Sequence, residues 1–365
     1  MKLVVILACM SRGGIDFFQS LLDQHSEISQ FPGSFYVDEF LKIIKNERNS
    51  EIIARKFIEN YEEFFDSRSY KKGVAKVGRY ERHNYLGEDK KSYYTVDKSQ
   101  FKNNFIKIIK EETGDIRKVI IALNLAYSKA SGEDLDKKKL VVLNLHHFFR
   151  FNSIKNIDFD IVCTIRDPID SYSSFMKNLA YYEQDYLDAW RFNFHLERTF
   201  SHLKKTSELK KKTFVIKLED LHLKNSDIMN NFCKTFNIKY ENVMENSTYH
   251  GFQWWGDSLV KKDLRGINKN FRSNIDDKFF YQKDICYIEK KLENFYKKYG
   301  YPKRCRKSIL LISYFLPLKV EIINFKESLK RFNFKNFIFC IYYYLKRISK
   351  FSETEYSEKQ YPRKL

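Results

Sequence analysis

Residues 11–16 have the types that a phosphate-binding turn needs. Their sequence is Ser-Arg-Gly-Gly-Ile-Asp, and it follows the apolar, β-branched run 3–10, which is typical of a strand buried on both faces of a parallel sheet. Apolar residues recur at helical spacing from there onward, so the turn joins a strand to a helix and its backbone N–H groups converge. Arg12 adds a fixed positive charge. The candidate phosphate-binding residues of this turn are Ser11, Arg12, Gly13, Gly14, Ile15 and Asp16.

The same turn has a simpler interpretation, because glycines also allow a tight strand-to-helix turn that binds nothing. The loop of an ordinary nucleoside-triphosphate kinase ends in Gly-Lys-Ser/Thr and places the hydroxyl on Mg²⁺. Here Gly14-Ile15-Asp16 stands at the equivalent position. The sequence therefore argues against such a kinase.

A second candidate phosphate site is centred on Arg166. This arginine ends the apolar run 160–165, and an Asp-Pro pair follows it. Asp is a good N-cap and Pro is a good first helical residue, so we predict a helix from about 168 to 180. Ser174 then lies about two turns into that helix, close to the side of Arg166, and an Arg fork with a hydroxyl suits a phosphate monoester. The alternative is that Arg166 makes only a surface ion pair.

Together the two segments resemble the sulfotransferases that use 3′-phosphoadenosine 5′-phosphosulfate (PAPS). Residues 9–28 are similar to the family's 5′-phosphosulfate loop with the helix after it, and residues 166–174 are similar to its 3′-phosphate motif. The resemblance implies that Arg166 and Ser174 hold the 3′-phosphate of PAPS. It also implies that Arg12 stabilises the leaving phosphate.

The resemblance covers about residues 3–275 and has one clear departure. The family's usual Thr-Thr is Ile15-Asp16 here, which removes two hydroxyls and places a carboxylate near the 5′-phosphate, so we expect Asp16 to cap the helix instead. Residues 214–221 are similar to a strand-ending segment of the family. Residues 262–271 loosely resemble the late loop that closes over the nucleotide. The candidate residues of that loop are Arg265 and Gly266.

Sulfuryl transfer needs positive charge, in-line geometry and a base for the acceptor hydroxyl, and it requires no metal. His146 is the first candidate base, because the family's cytosolic branch has its catalytic His at a similar distance before the 3′-phosphate motif. Glu39 is the second, since the carbohydrate-modifying branch uses a Glu shortly after the phosphosulfate helix. His147 is the third. A His at the end of a strand is often purely structural.

Apolar runs alternate with helical periodicities, which predicts an α/β fold: a three-layer α/β/α domain with a mostly parallel, P-loop-NTPase-like sheet over residues 1–302. The polar segment 66–99 is predicted to be an insertion or lid, and with Trp254-Trp255 it is a candidate acceptor cleft. We expect a basic, aromatic helical extension over 303–350 and a flexible tail over 351–365. The predicted strands are 3–10, 140–145, 160–165 and 213–217, and the predicted helices are 50–64, 100–111, 116–130, 168–180, 183–206 and 224–236.

The chain has 365 residues and a net charge of +19, which favours an anionic ligand such as a nucleotide or a lipid surface. It has no zinc-finger spacing, basic zipper or RNP-like box, so we expect no nucleic-acid partner. Its six cysteines form no C-x-x-C pair, which favours reduced thiols in the cytosol. The location is predicted as cytoplasmic, with a possible peripheral membrane contact through 303–350.

The function expected from the sequence is PAPS-dependent transfer of a sulfuryl group to a hydroxyl, with a carbohydrate or a glycolipid as the acceptor. Two other classes stay open: a P-loop-type kinase, and a non-catalytic nucleotide-binding protein on the same scaffold.

Overall fold

The computed structural model describes residues 1–69, 86–181, 202, 211–256, 266–271, 279–305, 314–349 and 361–365. In these residues the central sheet has six strands in the order β2-β3-β1-β4-β5-β8, and every neighbouring pair is parallel. A separate two-stranded sheet joins β6 to β7. The strands are β1 Lys2–Ala8, β2 Ile28–Gln30, β3 Leu140–His147, β4 Asp160–Ile165, β5 Thr213–Lys217, β6 Thr248–Tyr249, β7 Phe252–Gln253 and β8 Arg363–Lys364.

Helices connect these strands and cover both faces of the sheet. The side chains of Asn49, Asp97 and Asp115 cap the N-termini of α3, α5 and α6. The helices are α1 Ile15–Ser20, α2 Val37–Ile44, α3 Ser50–Asn60, α4 Glu62–Phe65, α5 Lys98–Ile109, α6 Ile116–Ala130, α7 Pro168–Tyr181, α8 Leu218–Leu223, α9 Asn225–Phe236, α10 Gln282–Lys291, α11 Glu293–Tyr299, α12 Lys319–Lys330 and α13 Phe334–Ser349.

Strand β1 separates two hydrophobic cores. Leu3, Val5 and Leu7 pack in one cluster with side chains of α2, α3, α5, α6, α7, α10 and α11. Val4 and Ile6 pack in the other cluster with side chains of α1, α8 and α9. Because alternate residues of a strand point to opposite faces, both faces of the sheet are covered. The predicted three-layer α/β/α fold is confirmed.

The predicted elements are confirmed where a long apolar or periodic run specifies them. Strands 160–165 and 213–217 and helix 116–130 have the predicted bounds. The sequence missed β2, α2 and β8; β2 has three residues and β8 has two, too few to show a period. The predicted helix 183–206 lies outside the described residues except for His202.

The acceptor cleft predicted from 66–99 and the two tryptophans is wrong at Trp254. Only 66–69 and 86–99 of the insertion are described. Trp254 is buried and packs edge-to-face on Tyr249, with ring centroids 5.4 Å apart, so it has no face free for a sugar. Trp255 donates its indole N–H to the carbonyl oxygen of Gly87 at 2.6 Å. This contact joins the end of the insertion to the segment after β7.

The prediction that all six cysteines are reduced is wrong for two of them. Cys286 of α10 and Cys305 form a disulfide, although 19 residues separate them in sequence. No short sequence motif indicates this pair, because the two cysteines come together only in the folded chain. The free cysteines, all buried, are Cys9, Cys163, Cys233 and Cys340.

The tail predicted as flexible over 351–365 is ordered in its described part. Strand β8 pairs with β5 at the edge of the sheet, and the N–H of Leu365 donates to the carbonyl oxygen of Val215 at 2.9 Å. The buried ring of Tyr361 packs against Phe295. The tertiary contacts of this one aromatic residue anchor a segment whose own sequence has no strand pattern.

Of the extension predicted over 303–350, residues 303–305 and 314–349 are described, and they contain the helices α12 and α13. Within the described part of the chain, no helix is both long enough and apolar enough to cross a membrane.

The double variant Cys286→Ser/Cys305→Ser should lose about 3 kcal/mol of the free energy of unfolding, since the disulfide closes a loop of about 20 residues in the unfolded chain. Denaturant titration measures the difference. Dithiothreitol should lower the wild-type stability to that of the double variant and leave the variant unchanged. A wild-type curve that the reductant does not move would contradict the pairing.

Candidate functional site

The predicted phosphate turn lies between β1 and α1, and its two glycines are required by geometry. Gly14 has a left-handed backbone, with φ 82°, and a Cβ there would lie 2.4 Å from a methyl carbon of Leu218. A Cβ on Gly13 would lie 3.2 Å from the carbonyl oxygens of Met10 and Thr164. The turn is therefore packed between β4 and α8; a side chain on Gly14 would be strained by the left-handed backbone, and one on Gly13 would require a small shift of its neighbours.

The two predicted phosphate sites meet in the structure. Arg12 donates through Nε to the hydroxyl of Ser174 at 3.3 Å, and Ser171 donates its hydroxyl to the carbonyl oxygen of Ser11. The cause is topological: β1 and β4 are parallel neighbours, so their carboxyl ends lie side by side. In an open α/β sheet, this edge at a switch in strand order is where ligands bind.

Arg166 is the residue of this site that most needs a partner. Its Nε is buried and has no hydrogen-bond partner among the described residues, and its guanidinium carbon lies 5.7 Å from the ring centroid of Phe271. Burial lowers the pKa of Arg166, and the positive charge of Arg12 acts in the same direction, while Asp170 and Glu219 oppose them. A bound anion would supply the missing acceptor and favour the charged form.

Asp167 is the N-cap of α7, as predicted, and it is paired with a residue that the sequence did not indicate. Its carboxylate accepts from the backbone N–H of Ile169 at 2.9 Å. Burial raises the pKa of Asp167 to about 6, against the opposing charge of Arg304. The guanidinium of Arg304 lies 3.0 Å from Asp167 and 3.2 Å from Asp170. The carboxylates of Asp167 and Asp170 are thus both paired with Arg304.

An aromatic stack lies beside Arg166. The ring of His222 is sandwiched between Phe17 and Phe271, with centroid distances of 4.4 and 4.7 Å. Its Nδ1 accepts a hydrogen bond from the backbone N–H of Asn268 at 3.2 Å. Burial, with a smaller contribution from Arg166, lowers the pKa of His222 to about 4. No sequence pattern assigns His222 to this site.

The late loop predicted to close over the nucleotide is described over 266–271. Through the aromatic stack, Phe271 places this loop against α1 and Arg166. Gly266 has φ 56°, the left-handed conformation that glycine adopts easily. Arg265 lies outside the described residues.

The prediction that Asp16 caps the first helix is wrong. The helix begins one residue earlier, at the buried Ile15, and Gly14 is its N-cap without any side-chain cap. Asp16 is instead buried, and its carboxylate contacts the amide nitrogen of Asn144 at 3.3 Å and Nε2 of His146 at 3.4 Å. The carboxylate that replaces the family's threonine is therefore engaged with the end of β3.

His146 reaches this position because β3 is irregular there. The register with β1 shifts between Ile6 and Leu7, and His146 has a left-handed backbone with φ 56°. Its backbone N–H donates to the side-chain oxygen of Asn144 at 2.8 Å. Its Nδ1 lies 3.3 Å from Nδ1 of His147. The first candidate base thus contacts the phosphate turn, and the third lies beside it.

Asn144 connects α1 to the end of β3 through side-chain hydrogen bonds. It is not among the site residues predicted from the sequence. Its amide nitrogen donates to Gln19 at 2.6 Å as well as to Asp16. Its side-chain oxygen accepts from the backbone of His146. The sequence signal that could have identified Asn144 is its position in an otherwise apolar strand, because a buried polar side chain needs hydrogen-bond partners.

Glu39, the second candidate base, is part of an ion cluster. Its carboxylate lies 3.1 Å from Nη1 of Arg150, which also pairs with Asp38 at 2.5 Å. Arg150 is buried, with its guanidinium carbon 3.4 Å from the ring centroid of Tyr36. These contacts give Glu39 a structural role that anchors α2 to the segment after β3.

In comparisons with known proteins, no protein-family model and no curated protein matches the chain. Among solved structures, the chain resembles the sulfotransferase domain of the Synechococcus PCC 7002 olefin synthase, with a TM-score of 0.38, 10% identity, and coverage of 76% of this chain and 84% of that one. It also resembles the sulfotransferase domain from the curacin biosynthetic pathway, with a TM-score of 0.39, 16% identity, and coverage of 90% and 97%.

Both neighbours are sulfotransferase domains. The likeness concerns the fold, and at these identities and TM-scores we draw no argument about activity from it. Neither neighbour supports the carbohydrate-modifying branch. Among the residues that the structure describes, no group of three or more His, Cys, Asp or Glu side chains lies together as a metal site would.

Two partly buried histidines predict a loss of stability in acid. His222 and His250 have pKa values lowered from 6.5 to about 4, so the unfolded chain takes up two protons that the folded chain refuses between those pH values. The free energy of unfolding should therefore fall as the pH drops from 6.5 to 4. His222→Phe keeps a ring in the stack and should reduce this slope by about 1.4 kcal/mol per pH unit. Urea titrations at several pH values measure it, and an unchanged slope would contradict the burial of a neutral His222.

Proposed function

We propose that the protein is a PAPS-dependent sulfotransferase that moves a sulfuryl group to an acceptor hydroxyl. The observation that supports this best is the meeting of Arg12, Ser174 and Arg166 at the carboxyl ends of two parallel strands. Two arginines whose charges interact, one with a buried, unsatisfied N–H among the described residues, suit a ligand that carries two anionic groups.

PAPS has two such groups, and the residues present fit them. The turn 11–16 would hold the 5′-phosphosulfate, and Arg166 with Ser174 would hold the 3′-phosphate. The carboxylate of Asp16 is compatible with this anion, because Asn144 and His146 already engage it. When bound, PAPS supplies the sulfuryl group and a bisphosphate leaving group. The chain's own part is to place positive charge beside both ends and to remove the proton of the acceptor.

His146 is the base in this proposal. Its Nε2 faces Asp16, so the neutral ring carries its proton on that nitrogen and has a lone pair on Nδ1. The acceptor hydroxyl gives its proton to Nδ1, in place of the contact that this nitrogen makes with Nδ1 of His147, and Asp16 stabilises the imidazolium that forms. Asp16 is thus a positioning residue for His146, which gives the unusual carboxylate of the turn a function.

The acceptor class and the location are also proposals. We keep a sugar or glycolipid hydroxyl as the acceptor, and the net charge of +19 suits an acidic one. The cytoplasmic location predicted from the sequence depends on the expectation that all six cysteines are reduced. The Cys286–Cys305 disulfide favours an oxidising compartment instead.

Adenosine 3′,5′-bisphosphate should stabilise the protein by about 2.7 kcal/mol at a hundred times its dissociation constant. AMP and Mg-ATP at the same concentration should give smaller shifts, because they lack the 3′-phosphate. Arg166→Ala should abolish the advantage of the bisphosphate. Thermal unfolding with each nucleotide measures these shifts.

The control for this experiment is Arg55→Ala, an exposed arginine of α3 that should respond as the wild type does. Equal shifts with Mg-ATP and the bisphosphate would contradict the proposal and favour a kinase. Binding of the bisphosphate without sulfuryl transfer to any acceptor would favour a non-catalytic binding protein.

His146→Ala should lower kcat by about 100-fold or more, as the loss of a general base does, and should leave the stabilisation by the bisphosphate intact. Asp16→Asn should lower kcat less and shift the pH profile of the rate, since it removes the charge that faces the ring. Glu39→Gln is the comparison, and its kcat should stay near the wild-type value. Transfer of ³⁵S from labelled PAPS to a panel of sugar acceptors measures the rates. If Glu39→Gln is the inactive variant, His146 is not the base.

A further inference from the structure

The hairpin of α12 and α13 has a polar interior. Glu321 of α12 and Arg347 of α13 are both buried, and the guanidinium meets the carboxylate through two hydrogen bonds of 2.8 and 2.9 Å. Farther along, Asn336 donates to the side chains of Asn324 at 3.1 Å and Ser328 at 2.7 Å. The faces that meet thus hold paired charged and polar groups beside the ring of Phe325, which packs edge-to-face on Phe337 with ring centroids 5.7 Å apart.

The outside of the same hairpin is apolar. Phe332 between the helices is 82% exposed, and on α13 Phe334 and Ile338 are 68% and 66% exposed. Tyr342 and Leu345 continue this row at helical spacing and are more than half exposed. We call these five residues the outer face. Water-soluble helices bury such a row and expose their polar side, so the hairpin is inverted relative to a helix that faces water.

Positive charge surrounds the outer face. Residues 314–349 contain seven Lys or Arg and two Glu; the buried Arg347 and Glu321 pair with each other, which leaves six basic residues and one acid. Lys330 and Arg331 adjoin the turn before Phe332 and are well exposed. An apolar row with a basic border is complementary to lipid chains beneath anionic headgroups.

We propose that the outer face docks on an anionic lipid bilayer, with the apolar row in the interface and the basic residues against the headgroups. Helix α13 has 16 residues and is about 24 Å long, shorter than the hydrocarbon core of about 30 Å. The hairpin therefore lies in the interface rather than crossing it. The buried pair of Glu321 and Arg347 keeps its partners when water is excluded, as hydrocarbon surroundings require. The proposal is independent of the sulfotransferase activity.

Co-sedimentation of the full chain with vesicles tests the docking. The protein should bind vesicles of phosphatidylcholine with phosphatidylglycerol more tightly than vesicles of phosphatidylcholine alone. The variant Phe334→Ser/Ile338→Ser/Leu345→Ser keeps every charge and should bind the anionic vesicles about 100-fold more weakly, because three apolar side chains no longer enter the interface. The matched control is Tyr93→Ser/Ile116→Ser/Leu223→Ser, which removes three exposed apolar residues elsewhere and should bind as the wild type does.

Two measurements exclude misfolding and charge alone as explanations. The triple variant should unfold at the wild-type temperature without lipid and should still be stabilised by adenosine 3′,5′-bisphosphate. The single variant Phe334→Trp should gain blue-shifted emission on anionic vesicles that brominated lipid quenches, whereas Leu223→Trp should not.

Equal vesicle binding by the triple variant and the wild type would overturn the proposal, because the attraction would then be electrostatic only. A wild-type dimer that becomes a monomer in the triple variant, with no lipid-dependent change at Phe334→Trp, would also overturn it and make the outer face an interface between two copies.

Discussion

The parallel pairing of β1 with β3 on one side and β4 on the other is the constraint on which the candidate site depends. It places three strand ends at one edge of the sheet, and each end supplies a different part: the glycine turn after β1, His146 at the end of β3 and Arg166 after β4. Residues 160 positions apart meet because of this register, as the hydrogen bond from Ser171 to Ser11 shows. The continuous apolar run of β1 places this strand at the centre of the sheet, since alternate residues fill the two cores.

The charged side chains at this edge of the sheet fall into two groups: those that are paired within the protein and those that are available to a ligand. Arg304 engages Asp167 and Asp170, and Asn144 with His146 engages Asp16. Arg166 is left with a buried Nε that has no partner in the described part of the chain, and burial lowers its pKa. The acids of the site are therefore largely committed within the protein, while an arginine is held partly desolvated and ready for an anion. An incoming phosphate would meet positive charge that costs little further reorganisation.

The sequence predicted what long patterns specify. Buried strands are continuous apolar runs, and Asp167 acts as an N-cap because Asp-Pro after a strand favours a helix start. The two candidate phosphate segments are predicted from residue types, spacing and the family resemblance. The partners that complete the site were not, because Arg304 and His222 arrive from distant parts of the chain and have no local signature.

Local rules also gave wrong answers where tertiary contacts decided. Asp16 was expected to cap α1, but the left-handed Gly14 starts the helix one residue earlier and turns the carboxylate toward β3. Trp254 is predicted as part of an acceptor cleft and is instead part of the core. The disulfide and the strand at 363–364 depend on contacts between segments that share no motif. The inverted hairpin was predicted only as basic and aromatic, since the direction of each helical face is set by its packing.

The most direct test of the central claim is calorimetric titration of the wild-type chain with adenosine 3′,5′-bisphosphate and with AMP. The two ligands differ only in the 3′-phosphate, which Arg166 and Ser174 are proposed to bind. Charge-assisted hydrogen bonds to that group predict a dissociation constant lower for the bisphosphate by about 100-fold. Equal affinities would contradict the account, because the buried arginine would then have no 3′-phosphate to hold.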